Sequence, residues 1–246
     1  MPPKPARADA KRQLRLMTYN LNYGNPEPAS ACDAIAKADA DVVLLQEITS
    51  EWKRILEERL GQQYPYSIFR IHTRAAGGLA VLSKLPIRNE ELFASPERGW
   101  FPAERLVLET GFGILQVLHV HLRPAIDGGS WMKGFMTTPP LRRREIESYW
   151  KKLFKDLPTI IAGDFNEDAT GSAVSYLTRH GLSRVDTKGP PTWHYEIMSR
   201  GKTSDLLKLD IDHVMVDSRL SARDATVLDE GKSDHRPVVV TIEPRA

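Results

Sequence analysis

The stretch ERLVLETGFGILQVLHVHL, residues 104–122, decides the fold class of this chain of 246 residues. Apolar residues dominate both sides of Gly111 and Gly113, a pattern typical of two strands joined by a short turn. A hairpin makes the two strands antiparallel neighbours, whereas a doubly wound sheet is built from parallel strands joined by crossover helices. The stretch therefore argues against a simple doubly wound parallel sheet.

Strands and helices alternate outward from this hairpin. Ser30 and Ser50 are the predicted N-caps of the first two helices. This order favours an α/β fold in which two sheets pack face to face with helices outside. The predicted strands cover 14–20, 41–47, 78–84, 159–163, 209–217 and 236–243, and the predicted helices cover 30–39, 50–61, 141–157 and 171–181.

The composition is that of a globular protein with a sizeable core, since 41% of the residues are hydrophobic and 27% are charged. We expect a disordered leader over 1–12 and a single domain over 13–246. The net charge of +2 is too small to indicate nucleic-acid binding by itself. A net charge this small does not exclude a local groove of basic residues.

The chain has one cysteine, Cys32, so a disulfide framework and a cysteine-based metal site are excluded. No apolar run reaches the length of a transmembrane segment. We expect a monomer without a stable protein partner. The sequence leaves two locations open: the cytoplasm, or the periplasm or the outside of the cell if a signal peptide has been removed.

Polar residues follow the ends of six predicted strands. One such ending is ordinary, but six endings rich in oxygen and imidazole donors suggest a site where the strand ends converge. His119 and His121 share one face of their strand, and we interpret His119 as a packed core residue. The candidates are Asn20, Asn22, Glu47, His121, Asp164, Asn166, Asp212, Asp234 and His235.

The oxygen donors in this set suit Mg²⁺ or Mn²⁺, which prefer carboxylate and amide oxygens and keep several waters. Zinc is less favoured, because the chain has neither a tight histidine pair nor a set of thiolates. Asp234 and His235 are adjacent on one extended segment, so their side chains point to opposite faces. We therefore expect Asp212, rather than Asp234, to orient His235.

Seven stretches together make the sequence resemble the endonuclease/exonuclease/phosphatase superfamily, which includes the DNase I-like enzymes. They occur in the family's order and span residues 14–242. The stretches are MTYNLNYG, DVVLLQE, GGLAVLSKLPI, LHVHL, IAGDFN, IDHVMV and SDHRPVVV. The resemblance implies a four-layer α/β sandwich, with two packed mixed β-sheets flanked by helices and the site at one edge of the sheets.

The resemblance also implies the metal site. Glu47 is then the principal ligand of Mg²⁺ or Mn²⁺, with support from Asn20. Asn22 takes a position where some relatives carry an aspartate, so its amide would be a weaker ligand. Asp234 is the further metal or water contact.

The catalytic roles follow from the same resemblance. Asp164 and Asn166 would position the attacking water, hold phosphate oxygens or bind a second metal. His235, oriented by Asp212, would be the general base or stabilise the transition state. His121 would hold a phosphate oxygen or assist the leaving group. Whether His235 or Asp164 takes the proton stays open.

The expected reaction is metal-assisted, in-line attack of an activated water on a phosphodiester, with a nuclease-like activity on DNA or a small diester. A phospholipid phosphodiesterase similar to sphingomyelinases and a phosphomonoesterase are the alternatives. A non-catalytic binding protein on the same scaffold is disfavoured, because Glu47, Asp164 and His235 are all present.

Aromatic and basic residues near the predicted strand ends are the candidates for substrate binding. The segment 123–145 follows His121 and is long and rich in glycine and proline, as functional loops often are. Its aromatic and arginine side chains could stack bases and bind phosphates. The candidates are Arg105, Trp131, Arg142 and Trp193.

Overall fold

The computed structural model describes residues 12–96, 99–199 and 202–245, and these residues form fourteen strands and five α-helices. The strands are β1 (Leu14–Asn20), β2 (Val42–Gln46), β3 (Tyr66–Arg70), β4 (Leu79–Ser83), β5 (Ile87–Phe93), β6 (Ala103–Thr110), β7 (Gly113–His121), β8 (Thr159–Asp164), β9 (Leu182–Arg184), β10 (Trp193–Ser199), β11 (Lys202–Leu209), β12 (Asp212–Asp217), β13 (Leu220–Val227) and β14 (Val238–Pro244). The helices are α1 (Pro28–Ala38), α2 (Ser50–Leu60), α3 (Trp131–Thr137), α4 (Pro139–Trp150) and α5 (Ser172–Arg179). The predicted leader lies outside the described residues, apart from Arg12.

Two six-stranded sheets carry the fold. Their strand orders are β13-β14-β1-β2-β4-β3 and β5-β6-β7-β8-β12-β9, and β10 and β11 form a separate two-stranded ribbon. The pairs β1–β2 and β7–β8 are parallel, whereas the other neighbours are antiparallel. The hairpin predicted from residues 104–122 is β6–β7. Both sheets are therefore mixed, as expected.

The sheets pack face to face because alternate residues of their central strands are apolar on both sides. Leu16 and Leu44 point toward the other sheet and meet Val117 and Ile160 there. The opposite face of the first sheet packs against α1 and α2, and that of the second sheet packs against α4 and α5. The result is the four-layer α/β sandwich expected from the sequence, and that prediction is confirmed.

The ends of the helices differ from the prediction. Helix α1 begins at Pro28, whose ring presets the φ angle of a first helical residue, so Ser30 is inside the helix rather than its cap. Helix α2 is capped by Thr49, whose side chain accepts a hydrogen bond from the backbone N–H of Trp52. Helix α4 covers Pro139–Trp150 instead of 141–157.

The segment 123–145 is not the long loop that was predicted. It contains all of α3 and the first half of α4. No helix among the described residues combines the length and the apolar character that a membrane crossing requires.

Strand direction places the candidate residues at one edge of the sandwich. The parallel strands β1 and β2 end at this edge, as do β7 and β8. Strands β12 and β14 run antiparallel to β8 and β1, so they begin there. The register sets Asp212 opposite Asp164 and His121 beside Asp164.

Candidate functional site

A cleft opens at the edge where these strand ends meet. It is lined by acidic, imidazole and amide side chains on its floor and by aromatic rings on its walls. The floor residues are Asn22, Glu47, His121, Asp164, Asn166, Asp234 and His235. These residues come from the ends of five different strands, so the cleft exists only in the folded chain.

Glu47 directly follows β2 and has a left-handed backbone, with a φ of 64°. The left-handed conformation is uncommon and unfavourable for any residue other than glycine, and such backbone strain is often found at functional sites. The backbone N–H of Tyr23 donates to Oε2 at 3.1 Å, and Nδ2 of Asn20 donates to Oε1 at 3.2 Å. Burial raises the pKa of Glu47 above its usual value, and the nearby Asp234 charge adds to this.

Asn20 connects the two sheets at the floor of the cleft. Its Nδ2 atom donates both to Glu47 and to Oδ2 of Asp164, the latter at 3.0 Å. Its Oδ1 atom accepts from the backbone N–H of Asn22 at 3.0 Å. The amide of Asn20 therefore orients two carboxylates, and its oxygen is already engaged by the backbone.

His235 lies between two buried carboxylates. Its Nδ1 atom is 2.8 Å from Oδ2 of Asp212, the contact that strand alternation predicts, and its Nε2 atom is 3.7 Å from Oδ2 of Asp164. Burial alone would lower the pKa of His235, but the charges of Asp212 and Asp164 raise it above its usual value. Burial also raises the pKa of Asp164, and the charge of His235 offsets only part of that effect.

Asp234 makes its contacts away from His235. Its Oδ1 atom accepts from Nδ2 of Asn22 at 2.9 Å, and its Oδ2 atom accepts from Nε1 of Trp193 at 3.1 Å. The preceding Ser233 donates its hydroxyl to the backbone oxygen of Asn20 at 2.9 Å. The segment before β14 is thereby fastened to the end of β1.

His121 and Asn166 complete the floor around Asp164. Nε2 of His121 is 3.5 Å from Oδ2 of Asp164, and its ring stacks on Phe101 with centroids 4.4 Å apart. Burial lowers the pKa of His121 to about 3, so its imidazole is neutral. The backbone N–H of Asn166 donates to Oδ1 of Asp164 at 2.8 Å, and its side chain donates to the backbone oxygen of Leu122.

Two of the four candidate substrate residues line the cleft. The rings of Trp131 and Trp193 have centroids 5.8 Å apart, and Trp193 stacks on Tyr195 at 6.4 Å. Trp193 is buried, whereas about half the surface of Trp131 and of Tyr195 is exposed. These rings form an aromatic wall on one side of the floor.

The other two candidates, Arg105 and Arg142, do not line the cleft. Arg105 is buried, donates to the backbone oxygen of Lys152 at 2.9 Å and lies 3.9 Å from the centre of the Phe154 ring. Arg142 is buried in an ion pair with Glu167, with Nε 3.0 Å from Oε2. Their guanidinium groups hold helix α4 and its neighbours in place.

Several residues of the cleft were not singled out from the sequence. Phe101 stacks on His121, and the hydroxyl of Thr192 accepts from the backbone N–H of Asp212 at 3.1 Å. Tyr195 follows Trp193 by two residues on one strand, which is the spacing that places two side chains on one face. The spacing of Trp193 and Tyr195 could therefore have identified Tyr195 as a cleft residue from the sequence. No sequence pattern predicts the backbone contacts of Tyr23 and Thr192.

The donor set suits a hard divalent cation. Four carboxylates line or lie directly below the floor, and the imidazole of His235 balances one of them. The donor atoms of Asp164, Asp212 and His235 lie within 4.8 Å of one another. Among the described residues, no hydrogen-bond donor reaches the buried Oδ1 atom of Asp212. The excess negative charge and the oxygen donors fit Mg²⁺ or Mn²⁺.

Solved structures of similar fold cover nearly the whole chain. An endonuclease/exonuclease/phosphatase family protein from Leptotrichia buccalis superposes with a TM-score of 0.71 at 19% identity, over 94% of this chain and 99% of that chain. Sphingomyelinase C from Streptomyces griseocarneus gives a TM-score of 0.68 at 20% identity, over 93% and 99%. TDP2 from D. rerio, complexed with a single-strand DNA product, gives 0.69 at 15% identity, over 94% and 99%.

At these identities the likeness shows a shared DNase I-like α/β sandwich fold. No curated protein matches the sequence. The family model described as Endonuclease/Exonuclease/phosphatase family matches residues 17–235, from within β1 to His235 before β14. The chain therefore belongs to the endonuclease/exonuclease/phosphatase family.

Proposed function

We propose that this protein is a divalent-metal-dependent phosphodiesterase with nuclease-like activity, acting on DNA or on small diesters. Membership of a family whose members are generally hydrolases supports a hydrolytic role. The observation that carries the proposal is the position of His235, which is held by Asp212 at 2.8 Å beside Asp164 at the floor of an acidic cleft. An oriented imidazole next to a buried carboxylate is suited to moving the proton of an attacking water.

Glu47 and Asp234 are the residues that would hold Mg²⁺ or Mn²⁺. Both line the cleft, and the pKa of Glu47 is raised mainly by burial and further by the charge of Asp234. The amides of Asn20 and Asn22 instead position these carboxylates, because each amide already donates to one of them. A cation bound there would neutralise charge on the phosphoryl oxygens and on the leaving alkoxide.

His235 and Asp164 would manage the proton of the attacking water as a pair. The two groups lie 3.7 Å apart; the charges of Asp212 and Asp164 raise the pKa of His235, and burial raises the pKa of Asp164. Whichever of the two is deprotonated takes the proton of the water, and the other donates a hydrogen bond to a phosphoryl oxygen. The neutral His121 is placed to donate to the phosphate or to the leaving group.

Hydrolysis of bis-p-nitrophenyl phosphate with and without Mg²⁺ or Mn²⁺ tests the proposal. Glu47→Gln and His235→Asn should each lower kcat/KM by about 100-fold or more, the usual effect of removing a group that stabilises the transition state. The exposed Glu58→Gln on α2 is the matched control and should keep the wild-type rate. Absence of metal-dependent turnover on diesters, monoesters, DNA and lipid would contradict the proposal.

An exposed apolar surface gives a second candidate some support. Helix α3 presents Met132 and Met136, which are 78% and 74% exposed, next to the exposed rings of Trp131 and Phe135. A patch of this kind beside a cleft is typical of a docking surface. A phospholipid phosphodiesterase, the activity named for the structurally similar sphingomyelinase C, would use it to contact a bilayer.

Helix α3 also provides the test between the two candidates. If lipid is the substrate, Met132→Ser/Met136→Ser should lower hydrolysis of sphingomyelin vesicles while the rate on bis-p-nitrophenyl phosphate is retained. If the nuclease-like reading is right, vesicles are poor substrates for the wild type and plasmid or single-stranded DNA is cleaved. The monomeric state and the compartment stay predictions.

A further inference from the structure

Arg142 of helix α4 lies behind two of the segments that carry residues of the cleft. Its guanidinium group is buried. Nη1 donates to the backbone oxygen of Arg123 at 3.1 Å, two residues after His121. Nε donates to Oε2 of Glu167 at 3.0 Å, one residue after Asn166. A single side chain therefore joins the segment after β7 to the segment after β8.

The carboxylate of Glu167 is also held by the start of helix α5. Oε1 accepts from the backbone N–H groups of Ala173 and Val174 at 2.6 and 3.0 Å, and Oε2 accepts from that of Ser172 at 3.1 Å. An anion is favoured at this end of a helix, because the first N–H groups have no partner within the helix. The backbone oxygen of Glu167 accepts from Nε2 of His213 at 2.9 Å. Both the side chain and the main chain of Glu167 are thereby fixed.

Asn166, the residue before Glu167, depends on such a fixed neighbour. Its backbone is left-handed with a φ of 53°, an uncommon conformation that persists where the surroundings determine it. Its Nδ2 atom donates to the backbone oxygen of Leu122 at 3.0 Å, and the backbone N–H of Leu122 donates to the backbone oxygen of Asp164 at 2.9 Å. A shift of the chain at Glu167 would therefore move Asn166 and separate the two segments at the cleft floor.

The geometry of the Arg142–Glu167 pair is more specific than its contribution to stability. Desolvation of two buried charges offsets most of their attraction, so buried ion pairs often add little net stability. The plane of the guanidinium group fixes the angle between its donors, so Arg142 holds Arg123 and Glu167 at one separation. A lysine at this position would keep the charge without that fixed angle.

We propose that Arg142 and Glu167 form a positioning pair for the reaction, which sets the place of Asn166 in the floor of the cleft. This inference rests on the proposed phosphodiesterase function and adds to it two residues that act without touching the substrate. The pair acts through Asn166, whose backbone N–H donates to Oδ1 of Asp164 at 2.8 Å. The proposed metal ligands have positioning contacts of their own, so the pair affects the chemical step and not metal binding.

Arg142→Lys tests the proposal with bis-p-nitrophenyl phosphate at a temperature well below the Tm of the variant. Its kcat should fall by about 10-fold or more, the usual effect of losing a contact behind a site, while KM and the half-maximal Mg²⁺ concentration change by less than about two-fold. Arg105→Lys is the matched control, since Arg105 is another buried arginine paired with a carboxylate, that of Glu91. Its contacts lie away from the cleft, so the control should keep the wild-type kcat.

A double-mutant cycle with Asn166→Ala separates positioning from a general loss of structure. If Arg142 acts through Asn166, Arg142→Lys should lower kcat by less than about two-fold once the Asn166 side chain is absent. Equal losses in the two backgrounds would overturn the positioning pair. A wild-type kcat in Arg142→Lys would also overturn it and would leave the phosphodiesterase function intact.

Hydrogen exchange tests the same pair without using activity. In Arg142→Lys the amides of Leu122 and Asn166 should exchange about 10-fold faster than in the wild type, as expected when one hydrogen bond to a charged group is lost. Arg105→Lys should leave both rates unchanged. If no diester is turned over, the proposed function fails, and the positioning pair is then decided by these two amides: faster exchange supports it and unchanged exchange overturns it.

Discussion

His235 and Asp212 work as one unit, because a buried imidazole keeps a fixed orientation only while its partner carboxylate accepts the Nδ1 proton. The contact is 2.8 Å long, and the backbone N–H of Asp212 donates to the hydroxyl of Thr192. Asp212→Asn should lower kcat by about 100-fold or more, since the amide cannot hold the same tautomer and charge. Kinetics on bis-p-nitrophenyl phosphate measure this loss.

The same variant separates orientation from metal binding. Glu47 keeps its contacts to Asn20 and Tyr23, and Asp212 is not one of the two residues proposed to hold the cation, so Asp212→Asn should retain the metal-dependent rise in Tm. Glu47→Gln should lose both the activity and the rise in Tm. Equal losses of metal binding in the two variants would contradict the assignment of Asp212 to His235.

Trp193 combines a structural ring with a single polar contact. Its Nε1–H donates to Oδ2 of Asp234 at 3.1 Å, while the ring packs between Trp131 and Tyr195. Trp193→Phe keeps an aromatic ring and removes the donor. Loss of a hydrogen bond to a charged group costs about 1.5–3 kcal/mol, so the metal concentration for half-maximal rate should rise about 10-fold or more.

The control for this prediction is Tyr195→Phe, which retains the stacked ring and has no contact with Asp234. It should leave the half-maximal metal concentration unchanged. A similar rise in both variants would show that packing, and not the donor on Trp193, sets the position of Asp234.

Contacts between residues far apart in sequence could be predicted only where alternation along a strand restricts the geometry. The Asp212–His235 contact was predictable because Asp234 and His235 must face opposite ways. The roles of the Asn20 and Asn22 amides were not, because which atom of an amide faces the cleft depends on backbone N–H groups around it. Burial of Arg105 and Arg142 likewise depends on neighbours that a single stretch of sequence does not specify.

A buried polar layer lies behind the floor of the cleft, between strands β2 and β7. Nε2 of Gln46 is 2.6 Å from Nε2 of His119 and 3.1 Å from the hydroxyl of Thr18. Burial lowers the pKa of His119 from 6.5 to about 3. His119 is therefore neutral, and its Nε2 atom accepts the amide proton of Gln46.

The lowered pKa makes His119 a source of acid sensitivity. Below pH 6.5 the unfolded chain binds a proton at this position, whereas the folded chain does not until about pH 3, so stability falls as the pH falls through this window. The loss should be about 1.4 kcal/mol at about pH 5.5. His119→Gln, whose Oε1 replaces the acceptor, should reduce the difference in unfolding free energy between neutral and acidic pH by this amount.

Urea denaturation at the two pH values measures this difference. Other buried groups titrate as well, but they are common to wild type and variant, so the comparison isolates His119. His180→Gln at the surface is the control and should behave as the wild type. An equal acid sensitivity in His119→Gln would mean that His119 is protonated in the folded protein.

The central strands of the two sheets could be predicted from the sequence, whereas the strand β5 at the edge of its sheet could not. Strands β2 and β8 are largely apolar and buried on both faces, β1 alternates along its length, and the bounds of all three differ from the prediction by at most one residue. Strand β5 at the edge of its sheet is mostly exposed and lacks this pattern. Its strand state comes from pairing with β6, which only the fold provides.

At the scale of the molecule, the order of strands in the two sheets creates the site. Asn20 and His235 lie at opposite ends of the chain, yet β1 pairs with β14 and brings both to the same edge. The sandwich and this convergence could be predicted from seven stretches in the order typical of one family. The substrate walls could be predicted only in part: the candidates Trp131 and Trp193 line the cleft, whereas Arg105 and Arg142 are buried away from it.

This convergence also means that a bound cation should stabilise the whole fold. Four carboxylates, Glu47, Asp164, Asp212 and Asp234, lie in or directly below the floor and repel one another, whereas the unfolded chain keeps them apart. A ligand that binds only the folded state at 100 times its Kd stabilises by about 2.7 kcal/mol. For a chain of this size that corresponds to a rise in Tm of about 5–10 °C, which EDTA should reverse.

Differential scanning calorimetry with Mg²⁺ or Mn²⁺ measures this rise. In Glu47→Gln the rise should vanish, and the metal-free Tm should equal or exceed that of the wild type, because burial disfavours the charged carboxylate that this variant removes. Glu58→Gln on the surface should show the full rise. The same metal-induced rise in Glu47→Gln would place the cation elsewhere on the molecule, since a neutral amide at the end of β2 is a weaker ligand of a hard cation than a carboxylate.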